Sequence, residues 1–212
     1  MYKKLLLLFG VLLNLIYIAN SIDCSTLDGG TWSVVPGNSS FNTSDFCVMK
    51  FEAKNVGSVA TSQASLTPWA TLTWQQAKAN CLALGTNYHL ITDNEWLTIA
   101  HNVEAVSSNW NSSVVGSGFL FSGHNDNSPA SAIAITNVSD YYSDTGNSNS
   151  SGQNQRRVLI LSNSETIWDL SGNVWEWNND SMPIVSRYHG GDQQWMTYDN
   201  DGGLANASNV PI

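Results

Sequence analysis

The sequence predicts an α+β domain in which two helices pack on a small antiparallel sheet and much of the chain forms loops. Two apolar stretches of helical period each begin with a capping-box sequence, at Thr73 and at Thr92. Shorter stretches elsewhere alternate between apolar and polar residues, as half-buried strands do. Residues 107–155 are dominated by Ser, Asn, Gly and Asp, a composition typical of loops.

The two helices are the best-defined elements. Thr73-Trp-Gln-Gln76 begins the first helix, which ends at Gly85, and Thr92-Asp-Asn-Glu95 begins the second. Each helix is predicted to pack its apolar face against the sheet. These faces are Trp74, Ala77, Cys81 and Leu84 in the first helix, and Trp96, Ile99, Ala100 and Val103 in the second.

Three strands are predicted, at residues 46–52, 157–161 and 173–177. In the third, alternation places Trp175 and Trp177 on one face, which we expect to be core, and Glu176 on the other. Gly172, in the turn before it, is expected to take a positive φ. A buried Glu176 would need hydrogen bonds or a cation. A structural Trp strand with a satisfied carboxylate and a functional site are both open interpretations.

The first 21 residues have the pattern of a signal peptide. Lys3 and Lys4 precede an apolar run, and Ala19-Asn20-Ser21 is a small-x-small cleavage site. We expect residues 1–21 to be removed and the protein to be secreted or held at the cell surface, with an uncleaved anchor as the alternative. The remaining chain divides into an N-terminal segment, 22–45, and one domain, 46–212.

The charge of the chain excludes several partners. The net charge is −9, and loss of the two leader lysines makes it −11. A nucleic-acid partner would need a basic face, and no polybasic cluster is present for anionic lipid.

The histidines show no metal-ligand spacing. They are His89, His101, His124 and His189. No membrane span is expected after signal cleavage.

Three cysteines leave room for one disulfide and one further thiol in an oxidising compartment. Cys47 lies in an alternating strand and Cys81 on the apolar face of the first helix, so both can point into the core. Cys24 lies in an N-terminal segment that we expect to be flexible. We therefore predict a Cys47–Cys81 disulfide, with Cys24 either a free thiol or paired with residues beyond Ile212. Three reduced cysteines are the alternative.

Three motifs, in order, carry a resemblance to a known family. They are Thr73-Trp-Gln-Gln-Ala77, His89-Leu-Ile-Thr-Asp-Asn-Glu-Trp-Leu97 and Gly172-Asn-Val-Trp-Glu-Trp177. The chain resembles the formylglycine-generating-enzyme (sulfatase-modifying factor) domain family over residues 46–191. The resemblance implies a C-type-lectin-like fold. Related domains close with a Gly-Phe-Arg strand that this sequence lacks, so the domain is expected to be truncated or to have lost that strand.

The resemblance also bears on catalysis. Oxidase members of the family use a pair of cysteines in their C-terminal part to bind copper, and related sulfoxide synthases need a histidine cluster. This sequence has no cysteine after Cys81, and a thiolate mechanism cannot run without the thiolate. We therefore expect no catalysis and no catalytic cofactor. A family enzyme with an atypical or partner-completed site, and a structural envelope protein, are the alternatives.

The chain is most similar to the non-catalytic variable proteins diversified by retroelements, in which the residues after the W-E-W strand bind the ligand. That resemblance implies a binding surface for an unidentified protein or glycan on a cell or virus surface, and an ordinary polar loop is the alternative. The corresponding residues are Asn178, Asn179, Arg187, Tyr188, His189, Asp192, Gln193, Trp195, Tyr198, Asp199 and Asn200. Resembling domains also hold a structural Ca²⁺ at this strand, here through Asn173 and Glu176. An all-protein hydrogen-bond network is equally compatible.

Overall fold

The computed structural model describes residues 22–125, 131–145 and 155–179, and the backbone of Arg187–His189 and Gln194–Met196. It confirms the α+β class. The helices are α1 (Trp74–Leu82) and α2 (Asp93–Glu104). The strands are β1 (Trp32–Val35), β2 (Phe46–Met49), β3 (Ala53–Val56), β4 (Val59–Ser62), β5 (Val158–Ile160), β6 (Thr166–Trp168), β7 (Arg187–His189) and β8 (Gln194–Met196). Within this part of the chain, no helix is long and apolar enough to cross a bilayer.

The strands pair as four separate antiparallel ladders, β1–β2, β3–β4, β5–β6 and β7–β8, rather than as the one small sheet that was predicted. In the β3–β4 hairpin, Gly57 and Ser58 both have positive φ, as a two-residue type I′ turn requires. Isolated bridges connect neighbouring segments, for example from Gly30 to Ser62. Side-chain packing, more than a continuous sheet, therefore holds these ladders together.

Both helices begin as the capping boxes predict. The Thr73 hydroxyl accepts a hydrogen bond from the Gln76 amide at 3.3 Å, and the Gln76 side chain accepts one from the Thr73 amide at 2.8 Å. Thr92 and Glu95 make the same reciprocal pair at α2. These bonds satisfy backbone donors that an uncapped helix would leave unpaired.

The core lies mainly against α2. Ile99 and Val103 are buried and pack with residues from β1, β5 and β6, as the predicted face of α2 implies. Trp96, assigned to the same face, is 37% exposed. On α1 no residue is fully buried, because its predicted face is turned toward a cavity rather than toward close-packed side chains.

Residues 22–45 are part of the folded unit, so the predicted boundary at residue 46 lies inside it. β1 pairs with β2 along its whole length, and Val35 is completely buried in the core. Farther upstream, the Thr31 amide donates to the Ser62 carbonyl at 2.9 Å. The four-residue alternation of β1 was too short to be recognised as a strand in the sequence.

The predicted disulfide is wrong. Cys24 bonds to Cys47, and Cys81 is the free cysteine. The error came from treating Cys24 as part of a flexible tail, whereas Cys24 is buried and the segment that contains it is hydrogen-bonded to the fold. Two cysteines that both face the interior are not necessarily within bonding distance of each other.

The predicted strand at residues 173–177 is also wrong, as is the expected burial of its tryptophans. No strand is formed there. Trp175 is fully exposed and Trp177 is 47% exposed. Gly172 and Asn173 both have positive φ, which bends the chain away from an extended path. Of the tryptophans in this motif, only Trp168 is core, at 4% exposure.

Candidate functional site

A large cavity of about 1080 Å³ lies between α1, β2, the loop before α2 and residues 167–177. Cavities that hold small molecules typically measure about 300–1,000 Å³. Much of the wall is apolar and aromatic, and Phe46, Phe51, Trp69, Leu84 and Trp168 contribute to it. The carboxylates of Glu52 and Glu176 line the same cavity.

Glu52 is held by one hydrogen bond and one longer ionic contact. Its Oε2 accepts from Asn173 Nδ2 at 2.6 Å and lies 3.7 Å from Lys54 Nζ. The second distance is too long for a hydrogen bond. Among the described residues, neither Glu52 Oε1 nor Lys54 Nζ has a hydrogen-bond partner, although both side chains are buried. Unpaired buried groups of this kind are costly.

Arg157 and Asp169 form the second part of this cluster. Arg157 Nε donates to Asp169 Oδ1 at 2.8 Å, and Nη2 donates to Oδ2 at 2.6 Å. The guanidinium also donates to the carbonyl oxygens of Ile133, Ala134 and Ser143. Both side chains are buried. This planar, bidentate pairing is the geometry in which arginine binds a carboxylate most strongly.

The cluster shifts several pKa values. Burial, and then the charge of Asp169, raises the pKa of Glu52 to about 8, while burial lowers the pKa of Lys54. Glu176 is an exposed residue whose carboxyl group is partly desolvated where it lines the cavity. This environment, with Asp169, raises the pKa of Glu176 to about 7. Near neutral pH the carboxyls of Glu52 and Glu176 therefore hold protons that ordinary glutamates would have lost.

The turn before the W-E-W segment joins three parts of the chain. Gly172 has a φ of +99°, and a Cβ there would lie 2.6 Å from the His124 carbonyl oxygen, so only glycine fits. Asn173 donates from its backbone amide to that same oxygen at 2.6 Å. Its side-chain Oδ1 accepts from the Ile133 amide at 2.8 Å, while Nδ2 donates to Glu52. Asn173 thus connects the 131–145 segment to the carboxylate cluster.

Residues 177–179 are fixed near the beginnings of both helices. Trp177 Nε1 donates to the Leu72 carbonyl at 2.9 Å, and Trp74 Nε1 donates to the Asn178 carbonyl at 2.8 Å. Asn178 Nδ2 donates to Asp93 Oδ1 at 3.0 Å, and the Asn179 amide donates to the Ile91 carbonyl at 2.7 Å. Hydrogen bonds therefore hold residues 177–179 in place, and the exposed Trp175 comes just before them.

Comparison with known protein families matches residues 26–198 to the sulfatase-modifying factor enzyme 1-like domain. The chain belongs to this family. The match covers most of the sequence and begins well before residue 46, in agreement with the integration of β1 into the fold. No curated protein and no solved structure matches the chain.

The structure describes only part of the predicted binding surface of this sulfatase-modifying-factor-like domain. Asn178 and Asn179 are described and half-buried. Arg187, Tyr188, His189 and Trp195 lie in β7 and β8, where the backbone alone is described and residue 188 is the register partner of residue 195. The remaining predicted residues lie outside the described ranges: Asp192, Gln193, Tyr198, Asp199 and Asn200.

The two predicted calcium ligands differ in how they are used. The side-chain amide of Asn173 is hydrogen-bonded to Ile133 and Glu52. Such an all-protein network was the alternative to a calcium site. Glu176 lines the cavity and accepts no hydrogen bond from the described residues. In that part of the chain, no group of three or more His, Cys, Asp or Glu residues could hold a metal. Calcium prefers about six to eight oxygen ligands, so this donor set does not by itself make a calcium site.

The buried charges are the functional candidates that sequence reasoning missed. Arg157 directly precedes β5, whose residues are largely buried, and a charged residue at such a position is rarely buried without a partner. That signal could have identified Arg157 as a member of an ionic cluster, whereas the other residues of β3 around Lys54 are half-buried or exposed and give no such signal. The partner of Arg157 could not be found in this way, because Asp169 lies 12 residues from Arg157 and reaches it only through the β5–β6 turn.

Proposed function

We propose that this protein is a non-catalytic ligand-binding domain, secreted or displayed on the cell surface, that captures a protein or glycan with the residues following its W-E-W segment. The observation that carries the proposal is the full exposure of Trp175 next to residues 177–179, which hydrogen bonds hold in place. A large aromatic side chain on a fixed backbone binds at little entropic cost. Tryptophan is also among the residues that dominate binding energies.

The state of the cysteines supports the absence of family-type thiol chemistry. Cys24 and Cys47 are joined to each other, and burial raises the pKa of the Cys81 thiol. A raised pKa reduces the thiolate that would act as nucleophile or copper ligand. A second cysteine for such a pair is not available in these 212 residues.

Export is supported by two independent features. The leader-like residues 1–21 precede the domain, and a disulfide such as Cys24–Cys47 persists in oxidising compartments. The scarcity of charged side chains, 12% of residues, together with abundant Asn, Ser and Thr, agrees with an extracellular surface.

The test is a comparison of two tryptophan variants on arrays of glycans and extracellular proteins. Trp175→Ala should abolish capture while leaving the melting temperature unchanged, because its side chain contacts little protein. Trp168→Ala is the contrasting variant, since loss of a buried tryptophan costs roughly 3–5 kcal/mol of stability. Unchanged capture by Trp175→Ala, or no capture by the parent protein, would remove the basis for the proposal.

Family membership favours a second candidate, a sulfatase-modifying enzyme whose site is atypical or completed by a partner. The discriminating measurement is mass spectrometry of a cysteine-containing sulfatase-type peptide incubated with the protein, with and without copper. We expect no formylglycine above a control without protein. Formation of formylglycine would establish the enzyme instead.

A structural Ca²⁺ at Asn173 and Glu176 remains a proposal for this family member. It would require further oxygen ligands, such as backbone carbonyls. If calcium is bound, chelation should lower the melting temperature and calcium should co-purify with the protein. If neither is observed, the hydrogen bonds of Asn173 are sufficient to explain the geometry.

A further inference from the structure

We propose that the cavity beside α1 is a binding site for a small amphipathic amine, with an ammonium group at Glu52 and Glu176 and an apolar alkyl or aryl body against the aromatic wall. The cavity adjoins the proposed binding surface, since Trp175 and Trp177 line it, but the groups proposed to hold the amine are Glu52 and Glu176. The amine site therefore extends the proposed function rather than depending on it.

The shape and lining of the cavity favour an apolar body of small-molecule size. Its volume of about 1080 Å³ slightly exceeds the range of about 300–1,000 Å³ in which small molecules are typically bound, so it has room for one. Phe51 and Trp168 line it, with their ring centroids 5.8 Å apart, and Trp69 and Leu84 contribute further apolar surface. Removing an alkyl chain from water against such a wall is favourable, at about 0.8 kcal/mol for each CH₂ group.

One carboxylate oxygen at the polar end of the cavity, Glu52 Oε1, has no hydrogen-bond partner among the described residues. Glu52 is only 8% exposed and lines the cavity. Buried carboxylate oxygens normally accept hydrogen bonds. An ammonium group carries three donors and no acceptor, and it can supply the bond that Oε1 lacks while approaching Glu176 across the same cavity.

The charge balance of the cluster points to a cation. Glu52, Glu176 and Asp169 are three carboxyl groups that influence one another electrostatically. Lys54 acts on Glu52 and Glu176, and Arg157 pairs with Asp169. Asp169 is occupied by the bidentate contact with Arg157. One positive charge is therefore missing when all groups are ionised, and a bound ammonium group would take the place of the protons that these carboxyls otherwise hold near neutral pH. A ligand carboxylate would instead add a fourth negative charge to a poorly hydrated region.

The test uses three probes with the same six-carbon body: hexylammonium, hexanol and hexanoate. Calorimetry measures their affinities, and Cys81 reports their location, because this free thiol lines the same cavity. We expect hexylammonium to bind about tenfold or more tightly than hexanol, since a hydrogen bond to a charged group contributes more than a neutral one. It should also slow alkylation of Cys81 by iodoacetamide, whereas hexanoate should have no effect.

Two variants locate the head group. Glu176→Gln and Glu52→Gln should each reduce the preference for hexylammonium over hexanol. The matched control is Glu95→Gln, because Glu95 also lines the cavity but its carboxylate is already engaged by His89 and Thr92. Glutamine at this position preserves the capping box. If Glu52→Gln fails to fold, Glu176→Gln still tests whether the ammonium group lies at these carboxylates, because Glu176 retains exposed area and its replacement should leave the fold intact.

Several outcomes would overturn the proposal. Equal affinities for the three probes would show that the carboxylates play no part, and loss of binding in Glu95→Gln alone would place the head group elsewhere. Absence of both heat and Cys81 protection at millimolar concentrations would show that the cavity does not accept the amine. Displacement of hexylammonium by stoichiometric Ca²⁺ would assign the site to the metal.

Discussion

Replacement of Asp169 by asparagine tests the most consequential contact in the structure. The carboxylate receives two hydrogen bonds from Arg157, at 2.8 and 2.6 Å, with both side chains buried. Asparagine has the same shape and tolerates the positive φ of 54° at this position. The substitution therefore removes the negative charge with little change in backbone conformation.

We expect Asp169→Asn to lower the free energy of unfolding by about 3–5 kcal/mol, the usual consequence of leaving a buried charge without its partner. This is a large part of the roughly 5–15 kcal/mol that stabilises a typical domain. The effect should extend beyond the pair, because the same guanidinium binds the carbonyl oxygens of residues 133, 134 and 143. A guanidinium that turns toward water would release that segment.

Urea unfolding followed by tryptophan fluorescence measures the effect as a shift of the midpoint. Asp28→Asn is the control, since Asp28 is exposed and a surface change of this kind should stay within about 0.5 kcal/mol. Adding Arg157→Met to Asp169→Asn should cost less than the sum of the two single changes, because the unpaired charge is then gone. A loss below about 1 kcal/mol in Asp169→Asn would refute the reasoning.

Three further predictions concern the cysteines, the buried glutamate and the glycine turn. Iodoacetamide should label only Cys81 before reduction, and labelling of Cys24 in the native protein would contradict the Cys24–Cys47 bond. Cys47→Ser should lower the free energy of unfolding by about 3 kcal/mol, the value expected for a disulfide that closes a loop of this length. The pKa of Glu52 is raised above its unfolded value, to about 8. The stabilisation that the protonated Glu52 gives the folded state is therefore fully present below about pH 4.5 and is lost as the pH rises through 8. Glu52→Gln should therefore gain stability relative to the parent protein between pH 5 and 8 in urea titrations, and a constant difference across that range would show that Glu52 does not titrate as described. Gly172→Ala should lower the free energy of unfolding by about 1–3 kcal/mol through backbone strain, and further because the new Cβ collides with the His124 carbonyl. Gly57→Ala is the control: a Cβ there meets nothing within 4 Å, so only the strain of its positive φ should be seen.

Local signals in the sequence were enough to predict the helices. The capping boxes at Thr73 and Thr92 involve residues three apart, so their hydrogen bonds depend only on the helix itself. The strand at residues 157–161 contains β5, and the strand at 46–52 contains β2. The positive φ expected of Gly172 is also present.

The candidate site was predicted less well, because its contacts join residues far apart in the chain. Asn173 lies 121 residues from Glu52, and Trp74 lies 104 residues from Asn178. Burial of Trp175 was inferred from alternation, but alternation has meaning only if a strand forms and a neighbouring layer covers one of its faces. The bend at Gly172 and Asn173 removed the first condition.

By itself the sequence determined the α+β class, the beginnings of both helices and, through three ordered motifs, membership in the sulfatase-modifying factor enzyme 1-like family. These properties depend on hydrogen bonds and apolar periods within a few residues. Only the tertiary structure decided that Cys24 pairs with Cys47, that Trp175 is exposed, and that Glu52, Lys54, Arg157 and Asp169 share one buried cluster. Disulfides and buried charges depend on distances between separate segments, and those distances are set by how the whole chain packs.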